Sequence, residues 1–178
     1  MGGATVTGTR TGSARGRIAV AAAALILAGV FASNFAALGQ DGGLPPPKDT
    51  IFARKILMGA IDMNMDEIET MLAPEGKLEL ADAQEHAETI STMLMAFPHM
   101  FPPATNQWKP GAVRDPATDT FASPEVWTNF SDFYQRATEA SKIAWSASRA
   151  KRAADFRPLI AQLREHCNAC HAVNMKAD

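Results

Sequence analysis

Apolar residues recur at alternating steps of three and four in four separate stretches of this sequence, which puts each set on one face of an α-helix. The first stretch runs roughly from Thr50 to Leu72, with Ile51, Arg54, Met58, Ile61, Met65, Ile68 and Leu72 in register. Asp49 is placed to cap it, and Pro74 with Gly76 closes it. The second runs from about Glu79 to Phe97 through Leu80, Ala83, Ala87, Ile90 and Leu94, and Pro98 stops it. Residues 98–123 then hold five prolines and one glycine, a composition that predicts a long irregular crossover. Ser123-Pro124-Glu125 reads as a cap with proline at the first helical position. The third helix follows to about Ser148 through Val126, Phe130, Phe133, Ala137, Ala140 and Ala144. The fourth spans about Ala154 to Asn174, with Phe156, Ile160, Leu163, Cys167 and Cys170 as its seam. No strand-like alternation competes, so the expected fold is all-α: a left-turning antiparallel four-helix bundle with one long crossover.

The first 39 residues read differently. They contain no Asp or Glu, only Arg10, Arg15 and Arg17, then an apolar run from Ile18 to Val30 and the small-residue end Ala37-Leu38-Gly39. A basic start, apolar middle and small-residue end make a secretory signal. Cleavage is expected near Gly39/Gln40, followed by a Gly/Pro linker to residue 48 and the bundle from 49 to 178. The alternative is an uncleaved anchor, since Ile18 to Leu38 is 21 residues long, although Ser33 and Asn34 weaken it. The leader has no Arg-Arg pair to indicate the twin-arginine route. The chain has 17 basic and 19 acidic residues, a net −2; without the leader's three arginines 14 face 19, a net −5. A mildly acidic chain lacks the clustered Lys and Arg that phosphate contacts need, which argues against nucleic acid.

Chemistry concentrates seven residues from the carboxyl end. Cys167-Asn168-Ala169-Cys170-His171 is C-x-x-C-H, the attachment signature of c-type haem. On a helix, positions three and four apart share a face, so both thiols and the imidazole point the same way. Two thiols can bond the haem vinyl groups while the imidazole reaches iron. The competing readings are weaker. A thioredoxin-like pair wants a strand–helix setting, and a closed zinc site needs four ligands where no second Cys pair exists. A haem so close to the terminus must have its other face built by earlier helices.

A C-terminal C-x-x-C-H on the last of four helices resembles the class II c-type cytochromes, the cytochrome c′ family. The resemblance covers about Lys48 to Lys176. Arg54-x-x-x-Met58 in the first helix, Phe97-Pro98 with Phe101-Pro102-Pro103 after the second, and Pro124-x-x-Trp127 opening the third support it. It implies one covalent haem c on Cys167 and Cys170, with His171 as axial ligand. It also implies that Arg54 lies near the haem propionates and that Met58, four residues on, faces the iron's other side. Arg54 does occupy a seam position where an apolar residue is expected, so it needs an anionic partner or a route to water. The alternative is an arginine near the helix end that snorkels outward. Relatives divide at the Met58 position. Some carry a Met sixth ligand and low-spin iron suited to electron transfer; others carry an apolar group and open high-spin iron that binds nitric oxide or carbon monoxide. Relatives also often carry an aromatic and then a basic residue soon after the haem His, whereas Ala172-Val173-Asn174-Met175-Lys176 has no aromatic.

The leading expectation is a periplasmic monohaem electron carrier rather than an enzyme. It would serve redox partner proteins and is a candidate homodimer through its first two helices. The second expectation is gas binding on the same fold, and the third is a haem-free helical metal-handling module. Met63, Met65, Met71, Met93, Met95 and Met100 raise the idea of a copper site, but most sit at core spacing, where Met fills gaps. His86, His99 and His166 are expected at the surface or core edge. Trp127, Phe130 and Phe133 are candidates to wall the haem pocket. Glu67, Glu69, Glu75 and Glu79 look like a solvated acidic face.

Overall fold

A computed structural model describes Gly2, residues 45–113, Asp115 and residues 119–176. Two units divide the chain, Met1–Leu44 and Pro45–Asp178. Gly2 aside, all described residues belong to the second. The expected leader, its cleavage point and the first part of the linker lie outside them.

The second unit is built on four long helices: α1 (Pro47–Leu72), α2 (Leu80–Ala96), α3 (Phe130–Ser148) and α4 (Ala153–Asn174). They pack antiparallel as a four-helix bundle. Helix α1 begins three residues earlier than its periodicity predicts. Pro47 supplies a fixed helical φ at the first turn, where no N–H is needed. Asp49 makes no side-chain cap bond; it sits inside the first turn, where its charge favours the helix dipole. Gly76 is required after α1. A Cβ there would come within 2.2 Å of the Thr70 carbonyl oxygen, because the chain folds back over the helix's last turn.

Helix α2 gives way to a 3₁₀ turn over Phe97–Met100, with a second at Pro103–Thr105 inside the crossover. The expected third helix is broken in two: a single turn at Glu125–Thr128, then α3 from Phe130. Asn129 makes the break with φ −129° and ψ 50°. Ser123 does not cap that turn with its side chain. Its Oγ donates to the Val173 carbonyl at 3.1 Å and its N–H to that of Asn174 at 2.9 Å. A long-range tie has taken the hydroxyl that local geometry would have used.

The helices are not equally close. The most extensive pairing is α2 with α3, both lined by small buried residues: Ala83, Ala87 and Ser91 on one, Ala137, Ala140, Ser141, Ala144 and Ala147 on the other. Ser91 and Ser141 each donate a hydroxyl to the other's carbonyl at 2.9 Å, which satisfies both polar groups inside the seam. Helices α3–α4 and α1–α2 follow, while α1 and α4 are not among the closely packed pairs. The main link described between those two is Arg164, whose guanidinium donates to both Glu69 carboxylate oxygens, at 2.6 and 2.8 Å. Asp62 and Asp66 stand within 3.9 and 3.8 Å of the same group. Glu69 was expected on a solvated face; here it clamps α1 to α4.

Two apolar clusters result. The larger holds Ile61, Met65, Ile68, Ile90, Phe156, Ile160 and Leu163. The smaller is aromatic, with Phe97, Phe101 and Phe133 around Val126. Among the described residues, no helix is long and apolar enough to cross a membrane.

Ala87→Leu should lower stability by about 1–3 kcal/mol through overpacking of the α2–α3 seam, read as a reduced denaturation midpoint with unchanged slope. A double-mutant cycle on Arg164 and Glu69 should give a coupling near 1 kcal/mol, the upper end for partly exposed pairs, because the contact is bidentate.

Candidate haem-binding site

The gap between α1 and α4 is a cavity of about 480 Å³, and all five residues singled out from the sequence line it. Cys167, Cys170 and His171 come from α4, Arg54 and Met58 from α1. Phe97, Phe101 and Phe133 add aromatic wall. Of the other aromatic candidates neither lines the cavity: Trp127 packs against Phe101, and Phe130 is exposed.

Helical spacing presents the three motif residues to one space. Both cysteines are free and half-buried. Burial raises both thiol pKa values, with the Asn174 amide pulling partly the other way at Cys170. This is the reverse of a redox-active pair, whose thiolate must be favoured. His171 is exposed at the surface, yet desolvation by the surrounding protein lowers its pKa, with Asp62 opposing. The neutral imidazole that results is the form that binds a metal.

Arg54 is only 4% exposed, so it does not snorkel out. One Nη donates to Thr105 Oγ1 at 2.9 Å, and the other to Thr120 Oγ1. The guanidinium lies over the Phe101 ring at 4.5 Å and near that of Trp127 at 5.6 Å, a cation–π arrangement. The Trp127 indole N–H in turn donates to the Phe101 carbonyl at 3.0 Å. Burial lowers the Arg54 pKa to about 10, which leaves it a cation at neutral pH. Among the described residues no carboxylate pairs with it. Two of its five donors are used, so a buried cation with spare donors lines the cavity.

These features fit a haem: an aromatic-walled space, two thiols and an imidazole on one face, and a buried cation awaiting an anion. Among the described residues, no group of three or more His, Cys, Asp or Glu is placed to hold a metal ion. Met58 and Met65 line the cavity, Met63 and Met95 are exposed, and Met71 and Met93 pack against the core.

Sequence reasoning missed three parts of the site. Arg164 lines the cavity one turn before Cys167. Its signal was the acid spacing Asp62, Asp66, Glu69 on α1, which needs a cation on the facing helix. His166 also lines the cavity, half-buried, with Nε2 enclosed and unbonded. The third part is the tail: Phe121 and Ala122 form part of the wall, and Met175 pairs with Ala122 as an isolated antiparallel bridge. No local signal marks it. His86 instead joins α2 to α1 through Asn64, at 2.7 Å, and exposed His99 stands edge-on to Tyr134.

Similarity to known proteins agrees with this geometry. Nothing among curated proteins matches the chain. Solved structures do. A cytochrome c prime from Shewanella frigidimarina is 19% identical, covering 76% of this chain and 100% of its own, at TM-score 0.65. A cytochrome c′ described by ligand-controlled dimer dissociation has the same identity and coverages, at TM-score 0.64. The nitric oxide complex of a mutant cytochrome c prime from Alcaligenes xylosoxidans is 17% identical, again covering 76% and 100%, at TM-score 0.62. At such identities these likenesses establish the fold. The family described as Cytochrome C' matches residues 49–173, most of the chain and the whole cavity lining up to Cys170 and His171. This chain belongs to the cytochrome c′ family of c-type haem proteins.

Proposed function

We propose that this is an exported monohaem electron carrier whose haem is bonded to Cys167 and Cys170, with His171 and Met58 as its two axial ligands. The observation that carries the reading is the shared cavity: Met58 on α1 and His171 on α4 line one space between two helices that are otherwise held apart. Electron transfer needs an iron environment that changes little between oxidation states. A Met/His pair supplies it and raises the reduction potential. The redox step itself belongs to the haem.

Each residue then has a task. Cys167 and Cys170 would anchor the haem, while His171 would offer an imidazole nitrogen and Met58 a thioether to its iron. Arg54 offers its spare donors to a propionate while its bonded donors hold the crossover through Thr105 and Thr120. Phe97, Phe101 and Phe133 give the pocket an aromatic wall. The basic, acid-free leader supports delivery to the periplasm, where redox proteins are the partners. Exposed Phe52, Ile56 and Met63 on α1 support self-association, as does the dimer named for one solved relative.

Gas binding at an open iron site is the second reading, favoured by the nitric oxide complex of the Alcaligenes relative. Thioether is a weak ligand, and Met58 could stand aside. The two readings separate spectroscopically. Met58→Ala should convert a sharp low-spin spectrum into a high-spin one that takes up carbon monoxide; a spectrum unchanged by that substitution rejects Met58 as ligand. Intact mass of exported protein without an added porphyrin would favour the haem-free metal-handling module instead. Arg54→Leu should lower the midpoint potential, because a cation beside the haem disfavours the more positive oxidised state. A potential equal to wild type removes Arg54 from the propionate role.

A further inference from the structure

We propose that Asn174 is a positioning residue for the haem thioether at Cys170, and that it ties this attachment to the crossover segment Phe121–Ser123. The inference rests on the covalent-haem reading above. Asn174 is the last residue of α4 and only 7% exposed. A buried carboxamide needs partners. Its Nδ2 donates to the Cys170 carbonyl at 3.1 Å and lies 3.6 Å from Cys170 Sγ. A side chain reaching back four residues to a carbonyl is an ordinary way to finish a helix. The sulfur contact and the burial go beyond that.

The backbone at Asn174 does separate work. Its carbonyl accepts the Ser123 N–H at 2.9 Å, and two residues later the Lys176 N–H donates to the Phe121 carbonyl at 2.9 Å. Ser123 Oγ adds its bond to the Val173 carbonyl. Phe121, Ala122, Cys170 and Asn174 all line the cavity. The short tail therefore stitches one wall of the pocket to the helix that carries the haem, at the residue whose amide meets the attachment sulfur. This occupies the stretch after His171 that has no aromatic residue.

A thioether sulfur keeps its lone pairs after attachment and accepts a weak hydrogen bond. An N–H directed at it draws electron density away from the porphyrin edge. Removing that donor should make the haem easier to oxidise.

The test uses exported holoprotein. Asn174→Leu and Asn174→Val both lose the N–H donor and add no charge; Asn174→Gln keeps a donor. Haem loading is checked by intact mass in each. The midpoint potential should fall in the Leu and Val variants, with a shifted thioether C–S band in resonance Raman, and return toward wild type in the Gln variant. In the wild-type holoprotein the Ser123 amide, bonded to the Asn174 carbonyl, should exchange at least roughly tenfold more slowly than an unbonded amide, the scale of one hydrogen bond. If Asn174→Leu does not accumulate, the smaller Val variant decides by the same readouts. Haem-loaded variants with wild-type potential and Raman band overturn the positioning role, and unprotected exchange at Ser123 overturns the tie. Wild-type protein exported without porphyrin would sink the cofactor reading itself, a different result.

Discussion

Two helices of a small bundle are kept apart, and the space between them is what the rest of the molecule is arranged around. Aromatic and aliphatic side chains make most of its lining, a setting that fits a haem. The opposite side of the bundle is closed. The α2–α3 seam, built from Ala and Ser, lets two backbones approach closely, and its two hydroxyls satisfy each other across it.

Charge sets the limits of the opening. Arg164 spans it with a bidentate grip on Glu69, beside Asp62 and Asp66. Arg54 is handled differently: no described carboxylate answers it, and hydroxyls and aromatic faces hold it instead. Those neutral groups orient a guanidinium without cancelling its charge. A buried cation whose charge remains available is suited to an anionic edge of a cofactor, and Thr105 and Thr120 make the same side chain a fastening for the crossover.

Much of this was legible in the chain. The three–four spacing fixes four helices because burial of one face is a local, periodic demand; the seams were recovered within a few residues at their ends, except that Phe130 of the third is exposed beside the break at Asn129. The motif Cys167, Cys170, His171 was legible for the same reason: one helical turn brings the three together without help from any other element. Arg54 was conspicuous as a cation in an apolar register. The break at Asn129 and the diversion of Ser123 were not legible, since a favourable cap sequence was overruled by a partner fifty residues away.

The sequence by itself therefore determined the helical class, the number of long helices, and the face shared by Cys167, Cys170 and His171, all of which depend on neighbours three or four positions apart. Only the tertiary structure decided which helix pair closes and which stays open. It alone made Glu69 a clamp instead of a solvated acid, and the tail after His171 a stitch to Phe121 and Ser123 instead of a loose end. Those outcomes depend on residues far apart in the chain arriving within hydrogen-bond distance, and no periodicity along one segment encodes where a distant segment will lie.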